Sequence, residues 1–274
     1  MIDLLSIYGL AVVASTILAA GLGLMGVHLA ARDRAMQTMC IGQGAMLGVL
    51  LGIGLTQTVL SEQLDAVAPF ILAILAAAGT FWLSESLVAR KSASRNTHFI
   101  ALFAVLLAGG YLVSALFPAL ESHMAQKYFG DLATVSQNQA WMTLLVGTVL
   151  LFCMVGLQKA VSRQSFEAAI LGRERNPLAG GSGVWFALGT LVIIGFAVQI
   201  VGYLFTIACL FIPTSLAARS RRLGLTRHLI LAGSVAALAT ATGFVASLYF
   251  SRLPTVPTIV AFTALLGFVG SLLP

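Results

Sequence analysis

From Leu4 to Leu29 the chain passes without a single Asp, Glu, Lys or Arg. Comparable apolar stretches follow at 36–55, 67–89, 97–118, 140–158, 184–200, 202–217, 228–249 and 258–273. A helix crosses the hydrocarbon core of a bilayer in about 20 residues. The runs are continuous rather than alternating, which selects helices over the strands of a barrel. With short loops, 274 residues leave space for about eight to ten crossings and for no sizeable soluble domain. The expected fold is therefore all-α: a polytopic membrane protein of about eight to nine transmembrane helices, with residues 1–274 as one domain. Charged residues make up 9% of the chain, against about 25% in soluble domains. The first stretch lacks a basic start and exceeds a signal-peptide core, so it reads as a retained span. Cys40, Cys153 and Cys209 all lie inside apolar runs, which implies no disulfide framework.

The segment 184–217 is one apolar run, too long for a single crossing. Gly202 and Pro213 punctuate it, so a broken or re-entrant element is expected there. Charge then orients the chain. With the amino terminus outside and the carboxyl terminus inside, the inner loops collect Arg32, Arg34, Arg90, Lys91, Arg95, Lys159, Arg163, Arg173, Arg175, Arg219, Arg221, Arg222 and Arg227. Only Lys127 and Arg252 remain outside. This asymmetry explains the net charge of +6 without any nucleic-acid partner. The outer loops hold Glu121 and Asp131 among other acids. An acidic vestibule raises the local concentration of cations, although solvated loop acids look the same.

The second apolar run is unusual. "RDRAMQTMCIGQGAMLG", from Arg32 to Gly48, places Gln43 among Met36, Met39, Cys40 and Met46. Such a stretch suits either a solute path or a helix interface with a few tolerated polar atoms. Small residues elsewhere, such as Ala19-Ala20-Gly21-Leu22-Gly23, let helix backbones approach closely in lipid.

Three further segments stand out. "SFEAAILG", residues 165–172, suits a short helix with Ser165 as its cap and Gly172 at its end, set on a basic inner loop. It reads either as a docking knob for a soluble partner or as an ordinary connector. "ESHMAQKYFGDLATVS", residues 121–136, carries Tyr128 and Phe129, suited to the membrane interface. There Glu121 and His123 are either metal contacts at an entrance or a solvated loop pair, and Gly130-Asp131 reads as a turn or cap before a short helix. "VGYLFTIACLFIPTSLAARSRRL", residues 201–223, holds Thr206, Cys209, Thr214 and Ser215. Each hydroxyl can bond a carbonyl one turn back, and Pro213 would free a carbonyl and bend the helix.

The sequence contains no phosphate-binding GxxxxGK[ST] loop, no HExxH and no CxxC. Energy for transport would have to come from a partner ATPase or an ion gradient. Glu85, near the inner end of its span, is placed to snorkel, and no span centre carries a charge. Gradient-coupled carriers usually need one. A secondary carrier or channel, and a scaffold that transports nothing, stand as the alternatives.

The three segments, taken in their order along the chain, resemble the permease subunits of bacterial ABC importers for zinc, manganese and iron. "YFGDLATVS" is similar to the outer segment of that family, and "SFEAAILG" to its coupling segment. "VGYLFTIACLFIPTSLAAR" is similar to its long late segment, and "RLPTVPTIV" to its Pro-containing outer turn. The resemblance implies a homodimer in the bacterial cytoplasmic membrane, in contact with lipid, with two cytoplasmic ABC ATPases and an extracytoplasmic solute-binding protein. It implies that this chain is no enzyme and binds no cofactor, ATP and Mg²⁺ residing on the ATPase. Ser165, Phe166, Glu167, Ala168, Ala169 and Gly172 would couple to that ATPase. Met36, Met39, Cys40, Gln43, Thr206 and Cys209 become candidates for the path, and Glu121, His123 and Asp131 for the outer entrance. In the family an Asp and, four residues later, a His can coordinate the ion. Here those positions hold Met39 and Gln43, which share one helix face but bind Zn²⁺ or Mn²⁺ poorly. Sulfur favours a softer ion such as Cu(I), a chelated metal needs no bare ligands, and methionine is also common core filling.

Overall fold

The computed structural model of the chain describes residues 2–58, 67–89, 94–117, 120, 128–130, 132–171, 181–217, 224–250 and 252–272. They form helices α1 (Ile2–Ala31), α2 (Ala35–Thr58), α3 (Ala68–Ala89), α4 (Arg95–Leu116) and α5 (Gln137–Gly156). There follow α6 (Gln158–Leu171), α7 (Gly181–Val201), α8 (Tyr203–Ala217), α9 (Leu225–Tyr249) and α10 (Thr255–Leu272). Seven of these are long and apolar enough to cross a membrane, while Tyr203–Ser215 and Thr255–Val269 are apolar but shorter. The expected all-helical membrane bundle is observed.

Two helices organise it. Helix α1 packs against α5, α8 and α9, and α2 packs against α3, α4 and α7, while α1 and α2 hardly touch each other. In the most apolar window of α2, 72% of residues are buried, against 17% in α4. Helix α2 is thus interior, and α4 turns most of its apolar surface outward. The hydrophobic effect gives little drive for helix association in lipid, so backbones must approach closely. Gly44, Gly48 and Gly52 recur every fourth residue on α2. Added Cβ atoms there would meet Thr80, the Leu72 carbonyl and Pro69 of α3. In the other half, a Cβ on Gly26 would fall on the Leu210 carbonyl of α8.

The turn between α1 and α2 is tight. Asp33 adopts φ +54°, which aspartate tolerates better than most residues. Its N–H donates to Ala30 O at 3.0 Å and the Arg34 N–H to Leu29 O at 2.9 Å, a Schellman closure. The sequence expects a break in the run 184–217, and it falls at Gly202. Its φ of +91° ends α7, and α8 restarts one residue later. Pro213 does not end the segment but lies inside α8. Gly130, at φ +80°, lies against the Val201 carbonyl and Val256, so the segment 128–130 sits at this break.

Two local expectations are corrected. Ser165 is not a cap. The helix already starts at Gln158, immediately after the turn at Leu157, so Ser165 lies two turns in. The residues after Gly130 lead not into a separate short helix but into a turn and then α5. That long helix is capped by Ser136, whose hydroxyl accepts from Gln139 N while Gln139 Oε1 accepts from Ser136 N.

Candidate functional site

Polar chemistry concentrates at the end of the bundle that holds the α1–α2 turn. The two arginines flanking Asp33 diverge. Arg32 reaches towards α6 and α7. Its Nε donates to Ser165 Oγ at 3.1 Å, and its guanidinium lies 3.9 Å from the centre of the Phe186 ring. Arg34 reaches towards α3, where Nη1 donates to Glu85 Oε1 at 3.1 Å and to Gln37 Oε1 at 2.8 Å. Gln37 Nε2 donates in turn to Glu85 Oε1 at 2.7 Å and to Ser84 Oγ at 2.8 Å. Between the two groups lies a cavity of about 20 Å³, room for one water. Arg32, Arg34, Gln37, Thr38 and Thr190 contribute to its lining.

Glu85 is therefore not a snorkelling carboxylate but half of an ion pair that joins α2 to α3. The Arg34 side chain is 9% exposed and that of Glu85 23%. Removing the carboxylate leaves a buried guanidinium short of a partner, which costs ~3–5 kcal/mol in a fully buried pair. For this partly wetted pair Glu85→Ala is expected to cost about 2 kcal/mol. Glu85→Gln, which retains an acceptor oxygen, recovers part of that. Thermal unfolding followed by intrinsic fluorescence in lipid nanodiscs measures both. Equal midpoints for wild type and Glu85→Ala would show that the pair contributes nothing.

Helix α6 is polar on one side and anchored on the other. Val161 and Ser165, one turn apart, are buried, whereas Phe166 is 65% exposed. Glu167 pairs with Arg163 at 3.0 Å across one turn, a solvent-facing contact worth a few tenths of a kcal/mol at most. Ala168 is half-buried. Ala169 belongs to the helix backbone. Gly172 lies outside the described residues, as do Glu121, His123 and Asp131.

The methionine-rich face of α2 is divided by the packing. Cys40 Sγ donates to Phe99 O at 3.1 Å, and Cys40 and Met36 pack with Phe99 and Leu102 of α4. Met39 lies on another side, its carbonyl accepting from Tyr203 Oη at 3.4 Å. Tyr203 packs on Tyr128 with ring centres 5.5 Å apart, so the segment 128–130 reaches α2 through one tyrosine. Burial, reinforced by nearby Tyr111, pushes the Tyr128 hydroxyl above its ordinary range, and it stays a neutral donor. Gln43 is 1% exposed. Its Nε2 makes only a long 4.0 Å contact with Met46 Sδ, and its Oε1 has no hydrogen-bond partner among the described residues. Such an oxygen ordinarily costs stability. In α8, Thr206 donates to Gly202 O, Thr214 to Leu210 O and Ser215 to Ile212 O, as the sequence expects of membrane hydroxyls. Cys209 is buried, with Sγ 4.0 Å from Thr240 Oγ1. Among the described residues no three His, Cys, Asp or Glu side chains gather to hold a metal ion.

The polar cluster of His28, Gln37, Arg32 and Arg34 is not among the residues the sequence singles out. The one available signal is the pairing of two basic residues around a lone Asp with Gln37 one turn on.

The described residues form a multi-pass helical membrane bundle with a polar surface helix joined to one end. Residues 6–273 match the ABC 3 transport family, and the chain belongs to that family. Among solved structures it is similar to PsaBC from Streptococcus pneumoniae in complex with a Fab. The identity is 18% and the TM-score 0.76, with 99% of this chain and 94% of that chain covered. It is also similar to a proposed metal-chelate type ABC transporter in an inward-facing conformation. Here the identity is 19% and the TM-score 0.66, with 94% of this chain and 82% of that chain covered. At these identities the likeness is one of fold. No curated protein sequence matches it.

Proposed function

We propose that this chain is the permease subunit of an ATP-driven importer for a metal ion or a metal complex, acting by alternating access between two copies. The family match over residues 6–273 carries the reading. The metal-chelate description of one structural neighbour supports the cargo class. Two ABC ATPases would dock beneath α6 and bind the ATP and Mg²⁺, and an extracytoplasmic binding protein would deliver solute at the opposite face. The α1–α2 turn would then face the cytoplasm, as the distribution of basic residues favours. Met39 and Gln43 would line the path. The unpartnered Gln43 oxygen is an acceptor for a bound water, a chelator's N–H or O–H, or a weakly held ion.

Thioether and amide are poor ligands for bare Zn²⁺ or Mn²⁺, so the chemistry of the pair favours a complexed or softer metal. The test is uptake of Zn²⁺, Mn²⁺, Fe²⁺ and Cu(I), free and chelated, by the complex reconstituted with its ATPase in liposomes. Met39→Asp with Gln43→His is expected to raise uptake of free Zn²⁺ or Mn²⁺ at least several-fold. Unchanged selectivity would mean that the pair does not read the ion, and uptake by the permease without ATPase would overturn the ATP-driven reading.

A further inference from the structure

A single oxygen in α6 carries three hydrogen bonds. Ser165 Oγ donates to Val161 O at 2.8 Å, which commits its only proton and leaves two lone pairs. Arg32 Nε donates to it from 3.1 Å, and His28 Nδ1 also lies 3.1 Å away. With the serine proton already used, the balance requires that His28 Nδ1 carry a proton and donate. Both lone pairs are then filled. All three residues are at most 5% exposed; His28 lies in the last turn of α1 and Arg32, whose N–H donates to His28 O, immediately follows the helix, so both donors come from the same end of α1.

A mid-helix serine is already satisfied by the carbonyl one turn back. Two extra donors from another helix are a connection between elements rather than a need of Ser165. Apolar contacts allow one helix to slide on another, whereas a saturated, directional joint in a low-dielectric setting fixes one position. Beyond His28 and Arg32 the chain enters the Schellman turn at Asp33, and two residues on Arg34 is tied to Glu85 of α3. A displacement at Ser165 thus arrives at α1 directly and at the α2–α3 pair through one tight turn.

We propose that the bonds of Ser165 to His28 and Arg32 form the joint through which movement of α6 is passed to α1 and, across the turn, to the Met39–Gln43 face of α2. This rests on the reading of α6 as the helix an ATPase pushes. His28 and Arg32 are positioning residues in this scheme, with no contact to solute required.

Hydrogen exchange in the assembled complex, with and without ATP and vanadate, tests the joint without needing to know the solute. In wild type, nucleotide should change exchange both in α6 and in residues 28–41. His28→Phe removes the donor and keeps the bulk of a ring. It should retain the change in α6 and reduce that in 28–41 by about fivefold or more. His28→Asn, whose amide N–H substitutes for Nδ1–H, should restore it. Persistence of the full change at 28–41 in His28→Phe overturns the joint, and so does failure of Asn to rescue. If His28→Phe does not assemble, Arg32→Met, which removes the Nε donor, is read in the same way. Absence of any nucleotide effect on α6 in wild type would instead overturn the reading of α6 itself.

Discussion

Phe166→Asp is expected, on the proposed reading of α6 as the ATPase-docking helix, to abolish most uptake while leaving the bundle folded. Phe166 is a large aromatic, mostly exposed, on a helix that the adjacent Ser165 ties to His28 of α1 and to Arg32. Aromatic side chains that fill a partner's pocket dominate interface energies, commonly at about 2 kcal/mol or more each. Such a loss weakens docking by about 30-fold, and a buried carboxylate adds a desolvation penalty. Because Phe166 makes little contact within the chain, its removal should hardly move the melting temperature. Co-purification of the ATPase subunit and ATP-dependent uptake are the two measurements. Full capture of the ATPase by Phe166→Asp would instead assign the ring to the lipid interface, where aromatic residues also collect.

The second large effect concerns Gly26. A Cβ at this position falls on the Leu210 backbone carbonyl, which cannot rotate away as a flexible side chain would. Gly26→Leu must separate α1 from α8, one of the main contacts of the half-bundle built on α1. Overpacking costs typically ~1–3 kcal/mol and occasionally more, and a whole leucine against backbone belongs at or above the top of that range. Gly79→Ala on α3 is the matched control, since nothing lies within 4 Å of a Cβ there. It should be neutral or stabilise by up to ~1 kcal/mol through helix propensity. Yield and thermal midpoint in nanodiscs compare the two. Equal behaviour would mean that α1 and α8 are not held at backbone contact.

How far the site is legible in the sequence depends on the kind of signal. The α6 segment stands out because charge and small residues interrupt apolar runs, yet its start is misread. A serine before Phe-Glu-Ala-Ala looks like a cap, but Leu157 makes only a brief turn and the helix begins beside it. The break at Gly202 is legible because only glycine adopts φ near +91° at little cost. Met36, Met39, Cys40 and Gln43 are adjacent in sequence, and periodicity alone cannot say which of them α4 will cover. Packing of Phe99 against Cys40 settles that. Glu85 and Arg34, 51 residues apart, leave no local trace of their pairing.

The sequence by itself determined that the chain is an all-helical membrane bundle and where its long apolar segments fall. Hydropathy and charge are local properties, and a bilayer converts them directly into spans. Only the tertiary structure decided that Ser165 faces inward, that Arg32 and Arg34 part at Asp33, one towards α6 and α7 and the other towards α3, and that the Gln43 oxygen is left without a hydrogen-bond partner among the described residues. Those outcomes depend on which helices come within 3 Å of one another. In lipid that is set by close packing of small residues and by pairing of polar groups across helices.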